Sequence, residues 1–209
     1  MFWRGMPAFD WLQVEVTTHC TASCLYCPRT VYRERWLNHH LSLGTFEKLV
    51  PAFKRTRLVF LQGWGEPLLN PDFFAMAALA KKAGCAVGTT TNGMLLDEEK
   101  AGRLVDTGVD VVAFSLAGTS ARNDFWRRGT GMAAVLAAIR ALAAARARRR
   151  TTTPAIHVAY MLLRSGLDDL PHLPEVLAGT GVQQVVISTL DFVPAAGLEA
   201  EALSLEDRA

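Results

Sequence analysis

The chain has 209 residues and a mass of 22.8 kDa, with 50% apolar and 20% charged side chains. This composition is that of a folded domain with a sizeable core, and it excludes disordered, collagen-like and low-complexity classes. The formal charge of +2 predicts neither a nucleic-acid partner nor a membrane partner. No stretch reaches the roughly 20 consecutive apolar residues of a membrane span, and residues 1–11 lack the apolar run of a secretory signal. We therefore expect a cytoplasmic protein.

Six short runs rich in β-branched and other apolar residues predict strands. In chain order they lie at residues 12–16, 57–61, 86–90, 109–116, 155–162 and 184–188. Runs of this length and composition are typical of strands buried in a parallel sheet.

Helical patterns lie between these runs, at residues 45–53, 71–83, 97–106, 130–147 and 170–177. Asn70 is the expected cap of the second helix, with Pro71 at its first position, and Asp97 is the expected cap of the third. Alternating strands and helices predict a parallel sheet covered by helices. Six such units predict an α/β fold, a partial (β/α)6 TIM-like barrel with parallel strands.

Three of the four cysteines form a cluster, Cys20, Cys24 and Cys27, and Cys85 stands alone. Three thiols so close in the chain cannot all pair with one another, so the cluster indicates metal ligands. A structural zinc site usually takes four ligands in two separated pairs, and His19 adjoins Cys20 too closely to complete one without strain. Three thiolates on an iron–sulfur cube would leave one iron open to a small molecule. We expect Cys85 to be a small buried core residue.

Polar and glycine-rich segments follow several of the predicted strands directly. The cysteine cluster follows the first strand, residues 63–67 (GWGEP) follow the second, and residues 90–93 (TTNG) follow the third. Ser115 lies at the end of the fourth strand, and Arg127 and Arg128 lie in the next loop. Because the carboxyl ends of parallel strands meet at one edge, we expect these segments to share one site.

Two of these segments resemble the signatures of the radical S-adenosylmethionine (radical SAM) superfamily. Residues 20–27 (CTASCLYC) match its Cys-x3-Cys-x-aromatic-Cys pattern, with Tyr26 at the aromatic position. Residues 63–67 (GWGEP) are similar to the family's GGEP-type motif, with Trp64 in place of the usual glycine. The likeness extends from about residue 12 to about residue 190.

The resemblance implies a site for a [4Fe–4S] cluster and S-adenosylmethionine (SAM). Cys20, Cys24 and Cys27 would be the metal ligands and catalytic residues, and the open iron would chelate the amino and carboxylate groups of SAM. The remaining residues that the resemblance assigns to SAM are Tyr26 beside the adenine, Gly63, Trp64, Gly65 and Glu66 near the ammonium, Thr91 and Asn92 near the ribose, Ser115 near the ribose or carboxylate, and Arg128 on the carboxylate. Arg127 is the alternative to Arg128.

Several of these residues also have a purely structural interpretation. Glu66 can fix its own loop, Ser115 can be a strand-end hydroxyl, and Thr91 and Asn92 can form a turn before Gly93. The side chain of Trp64 either faces the substrate or packs beneath its loop. These alternatives stay open at the level of the sequence.

The resemblance also implies a reaction. A reduced cluster passes one electron to SAM, and its carbon–sulfur bond breaks to give methionine and a 5′-deoxyadenosyl radical that takes a hydrogen atom from the substrate. Similarity to enzymes that modify peptides or mature cofactors indicates a small molecule, a peptide or a cofactor precursor as substrate. The implied electron donor is a flavodoxin or a ferredoxin. The alternatives are a non-catalytic iron–sulfur electron carrier or scaffold, and a module that keeps the fold without a working cluster.

We expect a single domain over residues 1–209, with a lead-in at 1–11 and a C-terminal tail at 191–209. No cysteine follows Cys85 in the sequence, so this chain carries no thiols for an auxiliary cluster after that position. On the resemblance, the chain is either a minimal enzyme of this type or a truncated piece of a larger one.

Overall fold

The structure is a computed structural model that describes residues 9–190, 195–204 and 207. Within this part of the chain, one sheet contains the strands β1 (Phe9–Val14), β2 (Thr56–Leu61), β3 (Ala86–Thr91), β4 (Val111–Leu116), β5 (Ala155–Leu162) and β6 (Gln184–Thr189). The strands lie side by side in chain order, and each pairs in parallel with the next. The sheet forms a half-barrel, so the predicted α/β fold, a partial TIM-like barrel, is confirmed.

Helices pack against one face of the sheet. The α-helices of the described residues are α1 (Pro28–Val31), α2 (Leu43–Glu47), α3 (Val50–Phe53), α4 (Phe73–Lys82), α5 (Glu98–Asp106), α6 (Ala121–Trp126), α7 (Met132–Arg148) and α8 (Leu173–Leu177). Short 3-10 segments lie at Pro67–Leu69, Arg164–His172 and Glu199–Glu201. No helix in the described part of the chain is both long and apolar enough to cross a membrane.

The main core lies between the sheet and the helices α2, α3, α4, α5, α7 and α8, which all contribute buried residues to it. On β4, Val112, Phe114 and Leu116 are fully buried, whereas Val111 and Ser115 are half-buried and the small Ala113 between them keeps 8% exposure. Because successive residues of a strand face opposite sides, this alternation separates an outer face covered by helices from an inner face that lines the half-barrel. The inner face is therefore free to line a site.

Two helices follow directly from local sequence signals. The Asp97 side chain accepts a hydrogen bond from the backbone N–H of Lys100 at 2.8 Å and so caps α5, as predicted. In α7, Val135, Ile139 and Leu142 are fully buried and recur at helical spacing in an alanine-rich sequence.

The predicted helix at 45–53 is wrong in one respect, because the structure has two short helices there, α2 and α3. Pro51 explains the break. It has no N–H to donate to the carbonyl of Glu47, so a continuous helix would lose that bond.

The predicted start of α4 at Pro71 is wrong, because the helix begins two residues later, after Asp72. The side-chain oxygen of Asn70 still accepts from the Asp72 N–H at 2.8 Å, as expected of a residue that caps the start of this segment. The side-chain amide nitrogen of Asn70 also donates to the carbonyl oxygens of Val16 at 2.6 Å and Leu41 at 3.0 Å. Asn70 therefore links the start of α4 to the segments that surround the end of β1.

The predicted helix at 170–177 is reduced to α8, preceded by the 3-10 segment Arg164–His172, which contains Pro171. The sequence patterns missed helix α6, whose six residues are too few to show a periodicity. This helix matters for the site because the next residue is Arg127.

Both predicted terminal segments fall partly outside the described residues. Residues 1–8 of the lead-in lie outside them, and residues 9–11 belong to β1. In the tail, residues 191–194, 205, 206, 208 and 209 lie outside them. Leu198 packs with Leu190, Trp126 and Leu163 in a second, smaller core cluster.

Candidate active site

A cavity of about 450 Å³ opens at the carboxyl ends of the strands. Its volume is within the usual range for ligand sites, roughly 300–1,000 Å³. The sequence-predicted residues that line it are Cys20, Cys24, Tyr26, Cys27, Gly63, Trp64, Gly65, Glu66, Thr91, Asn92 and Ser115. The structure therefore brings together segments that follow four different strands.

The cysteine loop runs from the end of β1 to α1. Cys20, Cys24 and Cys27 are free thiols that all border the cavity. Burial raises the pKa of the Cys24 and Cys27 thiols, and the charge of Arg127 opposes this at Cys24. Metal binding requires the thiolate form, so a bound metal would have to displace these protons.

A single metal ion does not fit this arrangement. Among the described residues, no three or more His, Cys, Asp or Glu side chains converge in the way that one ion requires. A zinc ion needs each thiolate at about 2.3 Å from one point, whereas each thiolate of an iron–sulfur cube binds a different iron. Three thiols on one loop at an open cavity match the ligand number of a cube with one open iron better than the four ligands of a structural zinc site.

Cys85 lies outside the site, as predicted. It is 2% exposed, and its thiol donates to the carbonyl oxygens of Phe53 and Thr56 in the main core.

The guanidinium of Arg29 stabilises the cysteine loop by hydrogen bonds to its backbone. It donates to the carbonyl oxygens of Thr18 at 3.1 Å, Ala22 at 3.1 Å and Cys20 at 3.3 Å. These three bonds fix the backbone on both sides of Cys20. Arg29 was not among the predicted site residues, although it follows directly on the cysteine motif and Pro28.

The GWGEP loop packs tightly against the cysteine loop. The Glu66 N–H donates to the carbonyl oxygen of His19 at 2.7 Å. A Cβ on Gly65 would meet the same His19 oxygen at 2.6 Å and the carbonyl carbon of Thr17 at 2.8 Å. Only glycine allows two backbones to approach this closely.

Trp64 lies at the rim of the cavity and is 51% exposed. Its backbone N–H donates to the carboxylate of Glu15 at 2.6 Å. Of the two alternatives for this side chain, exposure at the rim agrees with a substrate-facing position. Glu15, which was not among the predicted site residues, joins the end of β1 to this loop.

Glu66 is 1% exposed and connects two loops. Its carboxylate accepts hydrogen bonds from the hydroxyl of Thr91 at 2.7 Å, the N–H of Asn92 at 2.7 Å and the N–H of Leu68 at 3.3 Å. Burial raises the pKa of Glu66, and these three bonds oppose the rise. The structural interpretation of Glu66, a carboxylate that fixes its loop, is therefore the one that its contacts support.

Thr91 and Asn92 border the cavity but have partners within the protein. Besides its bond to Glu66, the hydroxyl of Thr91 accepts from the Gly93 N–H at 3.0 Å. The side-chain amide of Asn92 donates to the hydroxyl of Thr21 at 3.0 Å. Asn92 thus links the end of β3 to the cysteine loop.

Arg127, not Arg128, lies at the cavity. Arg127 is 6% exposed and lines the cavity, whereas Arg128 is exposed, with its guanidinium 5.9 Å from the ring centroid of Phe125. The two side chains of this turn point in different directions, although the residues are adjacent. The structure therefore favours Arg127, the alternative in the sequence analysis, over Arg128 as the arginine at the cavity.

The guanidinium of Arg127 donates from Nη1 to the hydroxyl of Tyr26 at 2.9 Å. Among the described residues, its Nε has no hydrogen-bond partner. Burial acts to lower the pKa of Arg127, but Tyr26 and Cys24 outweigh it and the pKa is raised. Burial raises the pKa of Tyr26 to about 12. The pair is therefore a cation and a neutral hydroxyl.

The inner wall of the cavity carries further polar groups that sequence reasoning missed. Gln62 donates to the side-chain oxygen of Gln13 at 3.0 Å and accepts from the hydroxyl of Thr90. These two hydrogen bonds connect β1, the end of β2 and β3. Ser188, which was also missed, borders the same space from β6, as the predicted Ser115 does from β4. The alternation along each strand could have indicated these residues, since they lie on the face opposite the buried core.

Comparison with known proteins identifies related sequences. A model of the Radical SAM superfamily matches residues 14–164. The chain is 29% identical over 186 residues to the tungsten-containing aldehyde ferredoxin oxidoreductase cofactor-modifying protein of Pyrococcus furiosus, covering 86% of this chain and 51% of that protein. It is 27% identical over 184 residues to the PqqA peptide cyclase of Granulibacter bethesdensis, covering 87% of this chain and 47% of that protein. The chain thus spans about half the length of these relatives.

Solved structures share the fold. Streptococcus suis SuiB bound to S-adenosylmethionine matches with a TM-score of 0.74 at 12% identity, covering 94% of this chain and 43% of that one. Native anSMEcpe with bound AdoMet matches with a TM-score of 0.69 at 16% identity, covering 86% of this chain and 51% of that one. At these identities the likeness establishes the half-barrel architecture.

Proposed function

The chain belongs to the radical SAM superfamily, whose members use SAM and an iron–sulfur cluster, and we propose that it reductively cleaves SAM at a [4Fe–4S] cluster. When bound, the cluster and SAM supply an electron-driven cleavage of a carbon–sulfur bond that leads to hydrogen abstraction from a substrate. One observation carries this proposal. Three free thiols, the GWGEP loop and a buried guanidinium border a single cavity.

Cys20, Cys24 and Cys27 would hold the cluster. Their number leaves one iron without a protein thiolate, which gives SAM a place to bind. Arg29 keeps the loop in place by three bonds to its carbonyl oxygens. The Cys85 thiol is buried in the core and donates to the carbonyl oxygen of Phe53, so it is not placed to be a fourth ligand.

Arg127 would pair with the carboxylate of SAM. A guanidinium suits a carboxylate because it can donate two parallel hydrogen bonds. The bond that Arg127 donates to Tyr26 holds the guanidinium in place, and the unpartnered Nε leaves a donor for the ligand. Tyr26 would also lie beside the adenine.

Glycine-rich backbone after β2 would receive the SAM ammonium. Gly63, Trp64 and Gly65 line the cavity, and their backbone carbonyl groups would accept from the ammonium, while Glu66 holds their loop against β3. Thr91 and Asn92 would support this loop more than contact the ribose, since both already have protein partners. The hydroxyl of Ser115, on β4, would contact the ribose or the carboxylate of SAM.

We propose a peptide or a cofactor precursor as the substrate. The relatives named above are a peptide cyclase and a cofactor-modifying protein. The polar inner wall, with Gln62, Thr90 and Ser188, offers hydrogen-bonding groups to amides or hydroxyls. The electron donor would be a flavodoxin or a ferredoxin, and the four free thiols agree with a reducing, cytoplasmic location.

The test is anaerobic reconstitution with iron and sulfide, followed by SAM and dithionite. We expect the protein to hold about four irons per chain and to release 5′-deoxyadenosine. Cys24→Ala should lose cluster and cleavage together. Cys85→Ala is the matched control, because it removes a thiol from the core and should keep both. A reducible cluster without cleavage would favour the electron-carrier alternative, and failure of the parent chain to bind iron would contradict the proposal.

A further inference from the structure

We propose that Arg127 also sets the reduction potential of the cluster, by holding a buried positive charge against the cysteine loop. This inference rests on the proposed function, since it requires a cluster on Cys20, Cys24 and Cys27. It goes beyond carboxylate pairing because the effect on the potential is present without SAM.

Two backbone hydrogen bonds place Arg127 opposite Cys24. The N–H of Ser23 donates to the carbonyl oxygen of Arg128 at 2.7 Å, and the N–H of Leu25 donates to that of Trp126 at 2.9 Å. Cys24 and Arg127 are the middle residues of these two facing segments. The position of Arg127 is therefore fixed by the cysteine loop itself, independently of any ligand.

The turn after Arg127 packs just as closely on the same loop. Gly129 has φ of 86°, and a Cβ at this residue would lie 3.0 Å from the carbonyl oxygen of Thr21 and 3.2 Å from the Cα of Ala22. A left-handed backbone and close contact both favour glycine here. Together with the two hydrogen bonds, this contact leaves little room for the segment to move away from the cysteines.

The guanidinium carries a charge that is only partly compensated. It is 6% exposed, its Nη1 is bound to the neutral hydroxyl of Tyr26, and its Nε has no hydrogen-bond partner in the described part of the chain. Glu66 is the carboxylate nearby, but its oxygens accept bonds from Thr91, Asn92 and Leu68. Arginine remains charged when buried, so a positive charge persists beside the thiols.

Such a charge favours the reduced cluster. Reduction takes one electron from a low-potential donor such as dithionite and makes the cluster and its thiolates more negative by one charge, with no bond formed or broken. A fixed cation stabilises the more negative state most, and a buried site screens this attraction weakly. Net charge and hydrogen bonding around the cluster set its potential. Arg127 therefore makes the cluster easier to reduce.

The experiment measures the midpoint potential of the reconstituted full chain without SAM, by a dye-mediated titration followed by EPR and absorbance. We expect Arg127→Gln to lower the equilibrium constant for one-electron reduction by about tenfold, which corresponds to about 59 mV. Arg128→Gln is the matched control, because it removes the same charge from an exposed neighbour, and it should leave the potential unchanged. An Arg127→Gln potential equal to that of the parent chain would overturn the inference.

Two further variants keep the test decisive if Arg127→Gln assembles no cluster. Arg127→Lys retains the charge and should shift the potential less than loss of the charge does. Tyr26→Phe removes the anchor of the guanidinium and should also make the potential more negative. If Arg127→Gln assembles no cluster, a parent-like potential in Tyr26→Phe together with a shift of about 59 mV or more in Arg127→Lys would contradict a role of the positioned charge.

The same data separate this inference from the proposed function. If the parent chain binds a cluster and cleaves SAM but Arg127→Gln keeps the parent potential, only the redox role is lost. If the parent chain assembles no cluster, both fail. Loss of SAM affinity in Arg127→Gln with an unchanged potential would assign Arg127 to the carboxylate alone.

Discussion

The carboxylate of Glu66 and the hydroxyl of Thr91 lie 2.7 Å apart, and their hydrogen bond joins the loop after β2 to the end of β3. The backbone N–H groups of Asn92 and Leu68 complete the set of donors to this buried carboxylate. Since the same loop contacts the cysteine loop through the Glu66 N–H, one residue holds together segments that follow three strands. Changes at Glu66 should therefore affect the whole site.

Glu66→Gln should lower the free energy of unfolding of the apo-protein by about 1–3 kcal/mol, because the amide nitrogen would face a buried backbone N–H and leave it without an acceptor. Thr91→Ser is the milder comparison, since it keeps the hydroxyl that donates to Glu66 and accepts from the Gly93 N–H. We expect Glu66→Gln to weaken SAM binding to the reconstituted protein more than Thr91→Ser does. Urea unfolding and equilibrium dialysis measure the two effects, and equal SAM affinity in all three proteins would argue against Glu66 as the organiser of this loop.

Gly65→Ala should disrupt the contact between the GWGEP loop and the cysteine loop. Its Cβ would lie 2.6 Å from the carbonyl oxygen of His19, and backbone atoms cannot yield as the end of a side chain can. We expect a loss of about 1–3 kcal/mol of stability, the usual range for overpacking, and less iron after reconstitution. The control is Gly44→Ala in α2, where nothing lies within 4 Å of the added Cβ. Gly44→Ala should have a urea unfolding midpoint equal to or slightly above that of the parent chain. Equal losses of stability in Gly65→Ala and Gly44→Ala would refute the steric explanation.

Arg29→Gln should loosen the cysteine loop, because the shorter amide cannot reach the three carbonyl oxygens that the guanidinium binds. Losing these charge-assisted bonds should cost about 1–3 kcal/mol of stability and should speed the release of iron to a chelator. Arg33→Gln makes the same change at an exposed position of the following segment and should release iron at the parent rate. Chelator kinetics with a colorimetric iron reagent compare the three proteins. Identical rates would mean that Arg29 does not constrain the ligands.

The cap of α5 should give a pH-dependent contribution to stability. Hydrogen bonds to the Lys100 backbone and side chain lower the pKa of Asp97 below its ordinary value. A lowered pKa means that the stabilisation is present above the ordinary pKa of aspartate, about 3.9, and is lost as the pH falls through the lower value of the folded state.

Two variants separate the cap from the charge at Asp97. Asp97→Ala should lower the free energy of unfolding by about 1 kcal/mol at neutral pH. Asp97→Asn keeps the cap without the titrating charge, so its difference from the parent chain should shrink as the pH falls below about 4. Urea unfolding at a series of pH values measures the stability difference between the parent chain and Asp97→Asn. A difference that grows as the pH falls would contradict the lowered pKa of Asp97.

The order of strands and the segments that form the site can be read from the amino-acid sequence alone. Short apolar runs located the six strands, because strands buried in a parallel sheet need such runs, independently of the loops between them. The spacing of Cys20, Cys24 and Cys27 and the motif at residues 63–67 indicated the superfamily, since each motif lies within one short segment. In a parallel sheet, segments that follow the strands must meet at one edge, so their convergence was predictable as well.

Which side chains face the cavity, and which hold it together, depends on the folded chain. Arg127 and Arg128 are adjacent and chemically alike, and they differ because the pairing of residues 126–128 with the cysteine loop buries one guanidinium and exposes the other. The bridging roles of Glu66, Asn70 and Arg29 depend on partners far away in the chain or on carbonyl groups, which carry no sequence signal. Hydrogen bonds to backbone atoms are independent of residue type, so they become visible only when the chain is folded.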